Sequence, residues 1–271
     1  MKKHSYKLVV VPLFWVVMAL ALTSVPPVFA KTAAGIIKMD FDLSAQPATK
    51  EVRLWIPYPV SSQYQNITDV KIKGDFARSA VYADKKYQDP ILYAEWPAGA
   101  KSRRLTFSFK AVRQEVARRD FPATATAWNP ADYAMWLAPS SLGPIDGPVK
   151  TLAVSIVRGK TTVLAKAKAI YDWTCDNMYR EPKTIGCGLG DVLALLKTPG
   201  GKCTDIHSVF VALCQASGVP AREIFGIRLG KKPVQDISKW QHCWAEFFLP
   251  GYGWVPVDPA DVRKLMLKRK L

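Results

Sequence analysis

An α+β fold is predicted by three observations. Short alternating segments fill residues 36–113, helical patterns fill 161–216, and a strand–turn–strand unit follows at 240–259. Strand-period stretches followed by helix-period stretches, rather than an alternation of the two, argue for helices packed on an antiparallel sheet.

The N-terminal part reads as β-sandwich-like. Gly35–Leu43, Glu51–Pro57, Val70–Lys73 and Arg104–Val112 place apolar residues on every second position, with polar turns between them. No catalytic arrangement shows in this part, and its aromatics and prolines read as packing and turns. Residues 114–150 carry Trp128-Asn129-Pro130, Ser140-Ser141-Leu142-Gly143-Pro144 and Asp146-Gly147-Pro148. These mark irregular structure, with a short helical piece at 133–137. The expected division is 31–150 for the β-rich domain with its linker and 151–271 for a catalytic domain.

A helix is predicted from Thr161 to about Met178, with a Thr cap and apolar positions at 163, 167 and 170. A shorter helix runs over Asp191–Lys197. Next comes Gly200-Gly201-Lys202-Cys203, a turn leading into the apolar pattern Ser208–Ala216 and the stop signal Gly218, Pro220. Cys203 therefore sits in the first turn of a largely buried helix. The helix dipole favours a thiolate there, and free backbone N–H groups can hold an oxyanion.

A thiolate nucleophile needs a base. Beyond residue 30 the chain has two histidines, His207 and His242. His242 lies in Trp240–Leu249, which reads as a strand. The turn Pro250–Gly253 follows, and the strand Trp254–Pro259 returns Asp258 alongside His242. Nucleophile Cys203, base His242 and orienting Asp258 make a triad. His207, four residues after Cys203 on one helix face, is a rival base or a metal partner. A metal set of Cys203, His207, His242 and Cys243 is disfavoured, because strand neighbours 242 and 243 point to opposite faces.

Four ordered motifs carry a resemblance. Gly-Gly-Lys-Cys203-Thr-Asp, Ala-Ser-Gly-Val-Pro-Ala-Arg222, His242-Cys-Trp-Ala-Glu and Gly-Tyr-Gly-Trp-Val-Pro-Val-Asp258-Pro resemble the transglutaminase-like superfamily over residues 160–260. The resemblance implies a papain-like core with a Cys-His-Asp triad on Cys203, His242 and Asp258, and supporting positions at Asp205, Trp244 and Glu246. It also implies a further core strand after the Asp, where this sequence has a basic helical tail, 264–271. The implied chemistry is acyl transfer on a peptide or carboxamide, ending on water or on an amine. No acidic Ca²⁺ loop is visible, and no cofactor or metal is expected.

Composition frames the setting. Residues 1–30 pair a basic start (Lys2, Lys3, Lys7) with an uncharged apolar run, 8–22, and a small residue, Ala30. This reads as a signal peptide cleaved after Ala30, with a periplasmic or secreted destination. The formal net charge is +16. Removing those three lysines takes no acids and leaves about +13. Such charge suits an anionic surface, yet the basic residues are scattered and no nucleic-acid motif appears. They read as solvated surface, with a protein or peptide substrate of the cell envelope as partner. Five cysteines are an odd number, so at least one lacks an internal partner in an oxidising compartment. Cys175 and Cys187 are the favoured disulfide, and Cys214 reads as simply buried. A thiol redox protein is the weakest reading, since no C-x-x-C pair is present. A binding module with a vestigial triad is the alternative to an enzyme.

Overall fold

The computed structural model describes residues 31–269, and the expected signal peptide lies outside them. Two three-stranded antiparallel sheets build the N-terminal part. One has the order β1-β6-β3, from β1 (Thr32–Asp42), β6 (Arg104–Gln114) and β3 (Gln65–Gly74). The other has the order β2-β5-β4, from β2 (Val52–Pro57), β5 (Pro90–Trp96) and β4 (Arg78–Ala83). Both sheets feed one apolar core that includes Ile37, Ile56, Leu92, Trp96, Phe107 and Phe109.

The alternating pattern locates β1, β2 and β6 and the second half of β3. It misses β4 and β5. β5 pairs with both neighbours and buries Leu92, Tyr93 and Ala94 in succession, so it has no period of two to read. β3 is interrupted by a register shift between Thr68 and Lys71, where Asp69 takes φ of 54°. That bulge hides its first half.

The chain then runs through a 3₁₀ turn (Pro130–Tyr133) and α1 (Ala134–Leu137), capped by Asn129, whose side chain accepts from Ala131 N–H. A helix the pattern does not announce follows, α2 (Gly147–Ile156), with Pro148 in its first turn. Next come α3 (Val163–Asn177), β7 (Tyr179–Arg180), α4 (Val192–Lys197), β8 (Gly200–Gly201) and α5 (Cys203–Ala216). Thr162 and Asp191 cap α3 and α4, accepting from Ala165 and Ala194 N–H. Gly218, at φ of 75°, closes the turn after α5.

The last sheet has the order β11-β10-β9, from β9 (Ala221–Ile227), β10 (Gln241–Leu249) and β11 (Gly253–Val257), and α6 (Pro259–Arg269) follows it. α5 is the buried axis of a second core. Ile206, Val209, Phe210, Leu213 and Cys214 are almost wholly inaccessible and pack with Cys243, Ala245 and Phe247 of β10 and with Val149 and Ile170 of α2 and α3. Burying such side chains stabilises by about 1.5–3 kcal/mol each. Among the described residues, no helix is long and apolar enough to cross a membrane.

Candidate active site

Cys203 begins α5, 8% exposed, immediately after the parallel β7–β8 bridge that pairs Tyr179 with Gly200 and Arg180 with Gly201. Only glycine fits at 201, because a Cβ there would stand 2.3 Å from the Cβ of Asp205. Asp205 is buried and knits the approach loop to the helix. Its carboxylate accepts the N–H groups of Leu189 (3.0 Å), Gly190 (2.9 Å) and Lys202 (3.0 Å). A buried carboxylate with three N–H donors is well satisfied. Cys203 is the first residue of α5, where backbone N–H groups have no intrahelical carbonyl to bond.

His242 enters from the first turn-side residues of β10. Asp258 lies one residue beyond the Ala245–Val257 pair of the β10–β11 ladder. This brings His242 Nε2 to 2.7 Å from Asp258 Oδ2. The other ring nitrogen, Nδ1, is thereby left for the Cys203 thiol, with which the imidazole interacts. The structure thus gathers all three residues singled out in the sequence.

His207 is drawn in as well. It is fully buried, its Nε2 is 3.3 Å from Asp258 Oδ1, and its Nδ1 is 3.3 Å from Cys243 Sγ. Asp258 thus holds one histidine on each oxygen, and it also accepts Asp261 N–H at 2.9 Å. His207 therefore supports the site through Asp258 and Cys243 and leaves the thiol to His242.

The charges follow from these contacts. Hydrogen bonding from the Cys243 thiol is the largest influence on Cys203, and His242 and Cys187 act in the same direction. Together they overcome desolvation and place the Cys203 thiol far below an ordinary thiol. Cys243 is pushed the other way, by Cys203 and by burial, and stays a protonated donor. Burial alone would lower His242, but Asp258 and Cys203 raise it to about 9. Burial would raise Asp258, but His207, His242 and the Asp261 N–H hold it well below the usual carboxylate range. These shifts all favour a charged Cys203 sulfur, a protonated His242 and an ionised Asp258.

The five cysteines are all free, which overturns the expected Cys175–Cys187 bridge. Cys175 is buried on the inner face of α3, 4.0 Å from Pro259 O. Cys187 lies on the loop against Gln241 O at 3.9 Å and contributes to the Cys203 environment. Cys187 and Cys243 are the site neighbours the sequence did not disclose. The residue order His242-Cys243 was the available signal. A strand end that meets a helix start lets both faces of β10 touch one thiol, which the opposite-face argument overlooked. Asp205 proves to be a loop clasp. Glu246 binds Arg222 (2.8 Å), whose guanidinium stacks 4.0 Å from the Trp254 ring. Trp244 lies under the Arg113 guanidinium at 5.2 Å.

One trio of possible metal ligands, His242, Asp258 and Asp261, converges within 4.8 Å. Each of them is already engaged: His242 hydrogen-bonds Asp258, Asp258 accepts the Asp261 N–H, and Asp261 pairs with Arg228 at 2.5 Å.

Residues 150–259 match the family model described as the transglutaminase-like superfamily. An uncharacterized protein of Haemophilus influenzae is 36% identical over 245 residues, covering 81% of this chain and 66% of that protein. The uncharacterized protein YebA of Bacillus subtilis is 27% identical over 126 residues, covering 41% of this chain and 17% of that protein. The chain thus spans somewhat under two thirds of the first relative and a small part of the second. Among solved structures, a candidate cysteine protease of Cytophaga hutchinsonii superposes with a TM-score of 0.61 at 16% identity, covering 86% of this chain and 80% of that one. The chain therefore carries a core of the transglutaminase-like superfamily, with the mixed helix and antiparallel-sheet architecture of that fold. The fold is one that supports thiol-dependent enzymes.

Proposed function

We propose that the protein is a cysteine acyl-transfer enzyme of the cell envelope, acting on a peptide or carboxamide. Cys203 is the nucleophile, His242 the acid and base, and Asp258 the group that orients the imidazole. The observation that carries this reading is the 2.7 Å His242–Asp258 bond beside a thiol at the first turn of α5.

The Cys203 sulfur attacks the carbonyl carbon, and the carbonyl π electrons move onto oxygen. The Cys203 backbone N–H, at the positive end of α5, stabilises that oxyanion. His242 then passes its Nδ1 proton to the departing amine nitrogen, the C–N bond breaks, and a thioester remains. In hydrolysis, His242 takes a proton from water as the water oxygen attacks the thioester. The C–S bond breaks, releasing the acid and restoring the thiolate. An acceptor amine in place of water gives transamidation. Throughout, Asp258 stabilises the imidazolium and fixes its tautomer. The periplasm or cell exterior is the proposed location, on the strength of residues 1–30.

Iodoacetamide labelling of each cysteine against pH tests the pair. Cys203 is expected to label at pH 6, far below the ordinary thiol value of about 8.5. Cys175, raised to about 11, and Cys214, raised by complete burial, are expected to stay unmodified there. His242→Ala is expected to move the Cys203 midpoint upward. Cys203 labelling no faster than Cys214 would sink the enzyme reading and leave a binding module with a vestigial triad.

A further inference from the structure

The Cys203 sulfur opens into a cleft of about 250 Å³ whose walls are strongly cationic. Arg180 comes from β7, Lys202 from the cap of α5, Arg228 and Lys239 from the two ends of the β9–β10 connection, and Lys264 from α6. These positions lie far apart in sequence and look like scattered surface charge until the chain folds. Asp261 is the single carboxylate in the lining beside them, and Arg228 already engages it at 2.5 Å. Arg180, Lys202, Lys239 and Lys264 have no acidic partner among the described residues. Arg180, Lys202 and Lys264 are moreover half-buried. Partly desolvated cations that outnumber the counter-charges beside them repel one another, and a bound anion relieves that cost. A concave wall of one sign also focuses the field and raises the local concentration of the oppositely charged ligand.

We infer that this cleft selects an anionic peptide, whose carboxylates sit on Arg180, Lys202, Lys239 and Lys264 and flank the acyl group presented to Cys203. The inference takes the point of reaction from the proposed acyl transfer; the charge preference belongs to the cleft alone. Peptide carboxylates fit better than an isolated anion because the four cations come from four separate elements lining the cleft that also holds the thiol, and a peptide offers several carboxylates to meet them. Arginine offers a planar fork for a carboxylate, and the lysines offer mobile point charges.

Two measurements on the purified protein test this. The first compares Cys203 alkylation by iodoacetate and by iodoacetamide, each relative to a free thiol in solution. The cleft is expected to favour iodoacetate by on the order of tenfold, and a Lys239→Glu/Lys264→Glu double variant is expected to erase that preference. The second is calorimetric binding of acetylated tetraglutamate, tetra-alanine, tetralysine and inorganic phosphate to Cys203→Ser protein. Tetraglutamate is expected to bind, and to weaken as salt is raised from about 0.05 to 0.3 M, since screening shortens to well under 10 Å over that range. If tetra-alanine binds as well as tetraglutamate, or the charge-reversed variant binds it unchanged, the anion site is refuted. Phosphate matching tetraglutamate would refute the peptide as the ligand. Tetraglutamate binding with Cys203 inert to both reagents would uphold the cleft and reject acyl transfer. A reactive Cys203 with no charge preference and no selective binding would do the reverse.

Discussion

Three thiols meet at the start of α5, Cys187, Cys203 and Cys243, and of these only Cys203 is shifted toward acidity. Cys243 makes the difference, because its proton is held by burial and by the neighbouring negative sulfur and is shared with Cys203. Cys243 Sγ also lies 3.5 Å from Thr204 Oγ1 and 3.3 Å from His207 Nδ1, so its position is fixed on three sides. Cys243→Ala removes the donor and leaves His242 in place. The Cys203 labelling midpoint is expected to rise, by at least as much as in His242→Ala, while the folded content seen by circular dichroism is retained. An unchanged midpoint would show that His242 alone sets the thiolate. Glu223 makes a second residue-scale case. Burial raises its carboxyl from 4.5 to about 7, against a hydrogen bond from Ser208 and with Cys203 and Asp205 as unfavourable neighbours. The folded state therefore holds this proton more tightly than the unfolded state does. Stability from this group is intact below about pH 4.5, declines as pH rises to about 7, and is flat above that. Glu223→Gln keeps the partner of Ser208 and removes the charge. It is expected to raise stability at pH 8 by about 1–2 kcal/mol and to change nothing at pH 4, as read by denaturant midpoints.

At the scale of elements, the site is where the start of α5 meets the start of β10, and both junctions are set by short-range rules. Gly-Gly before Cys203, the stop at Gly218, and the Pro250–Gly253 turn are each readable within a few residues. That is why the placement of Cys203, His242 and Asp258 was legible in the sequence alone. What escaped depends on contacts between distant residues. The central strand β5 shows no alternation because both of its faces are covered. The closeness of Cys187 and the pairing of His207 with Asp258 arise only when the loop and β11 close over α5. Asp205 shows how that closure is secured, with one side chain joining Leu189, Gly190 and Lys202. Hydrogen bonds to a carboxylate contribute about 1.5–3 kcal/mol each at most and are not additive. Asp205→Ala is expected to cost about 2–4 kcal/mol in total and to loosen the 186–202 loop. Hydrogen exchange at Leu189, Gly190 and Lys202 measures that directly. Protection unchanged at all three amides would contradict the clasp.

Across the whole molecule, the cleft connects to the N-terminal sheets. The connection between β9 and β10 supplies Arg228, Lys239 and Trp240 to the cleft wall. In between, it sends Leu229 and Ile237 down into the core formed by Ile37, Phe107 and Phe109. The Leu229 side chain reaches to 3.6 Å of where a Cβ on Gly35 would be, so it lies directly on β1. The N-terminal part is therefore more than an appendage. Its core anchors the segment that positions two of the cleft cations, while the triad hangs on α5, β10 and β11. Under the proposed anion preference, this arrangement separates the charge of the cleft wall from the acidity of the thiol, and the separation is measurable. Leu229→Ala deletes an anchor that touches neither Cys203 nor His242. A half-buried leucine in such a place is expected to cost about 1–3 kcal/mol, below the range for fully buried ones. The pH midpoint for Cys203 labelling is expected to stay where it was, because the thiol, His242 and Cys243 are untouched. The iodoacetate preference is expected to shrink, because Arg228 and Lys239 lose their fixed seat. A shift in the midpoint with the preference intact would mean that the N-terminal core supports the triad and not the cleft wall.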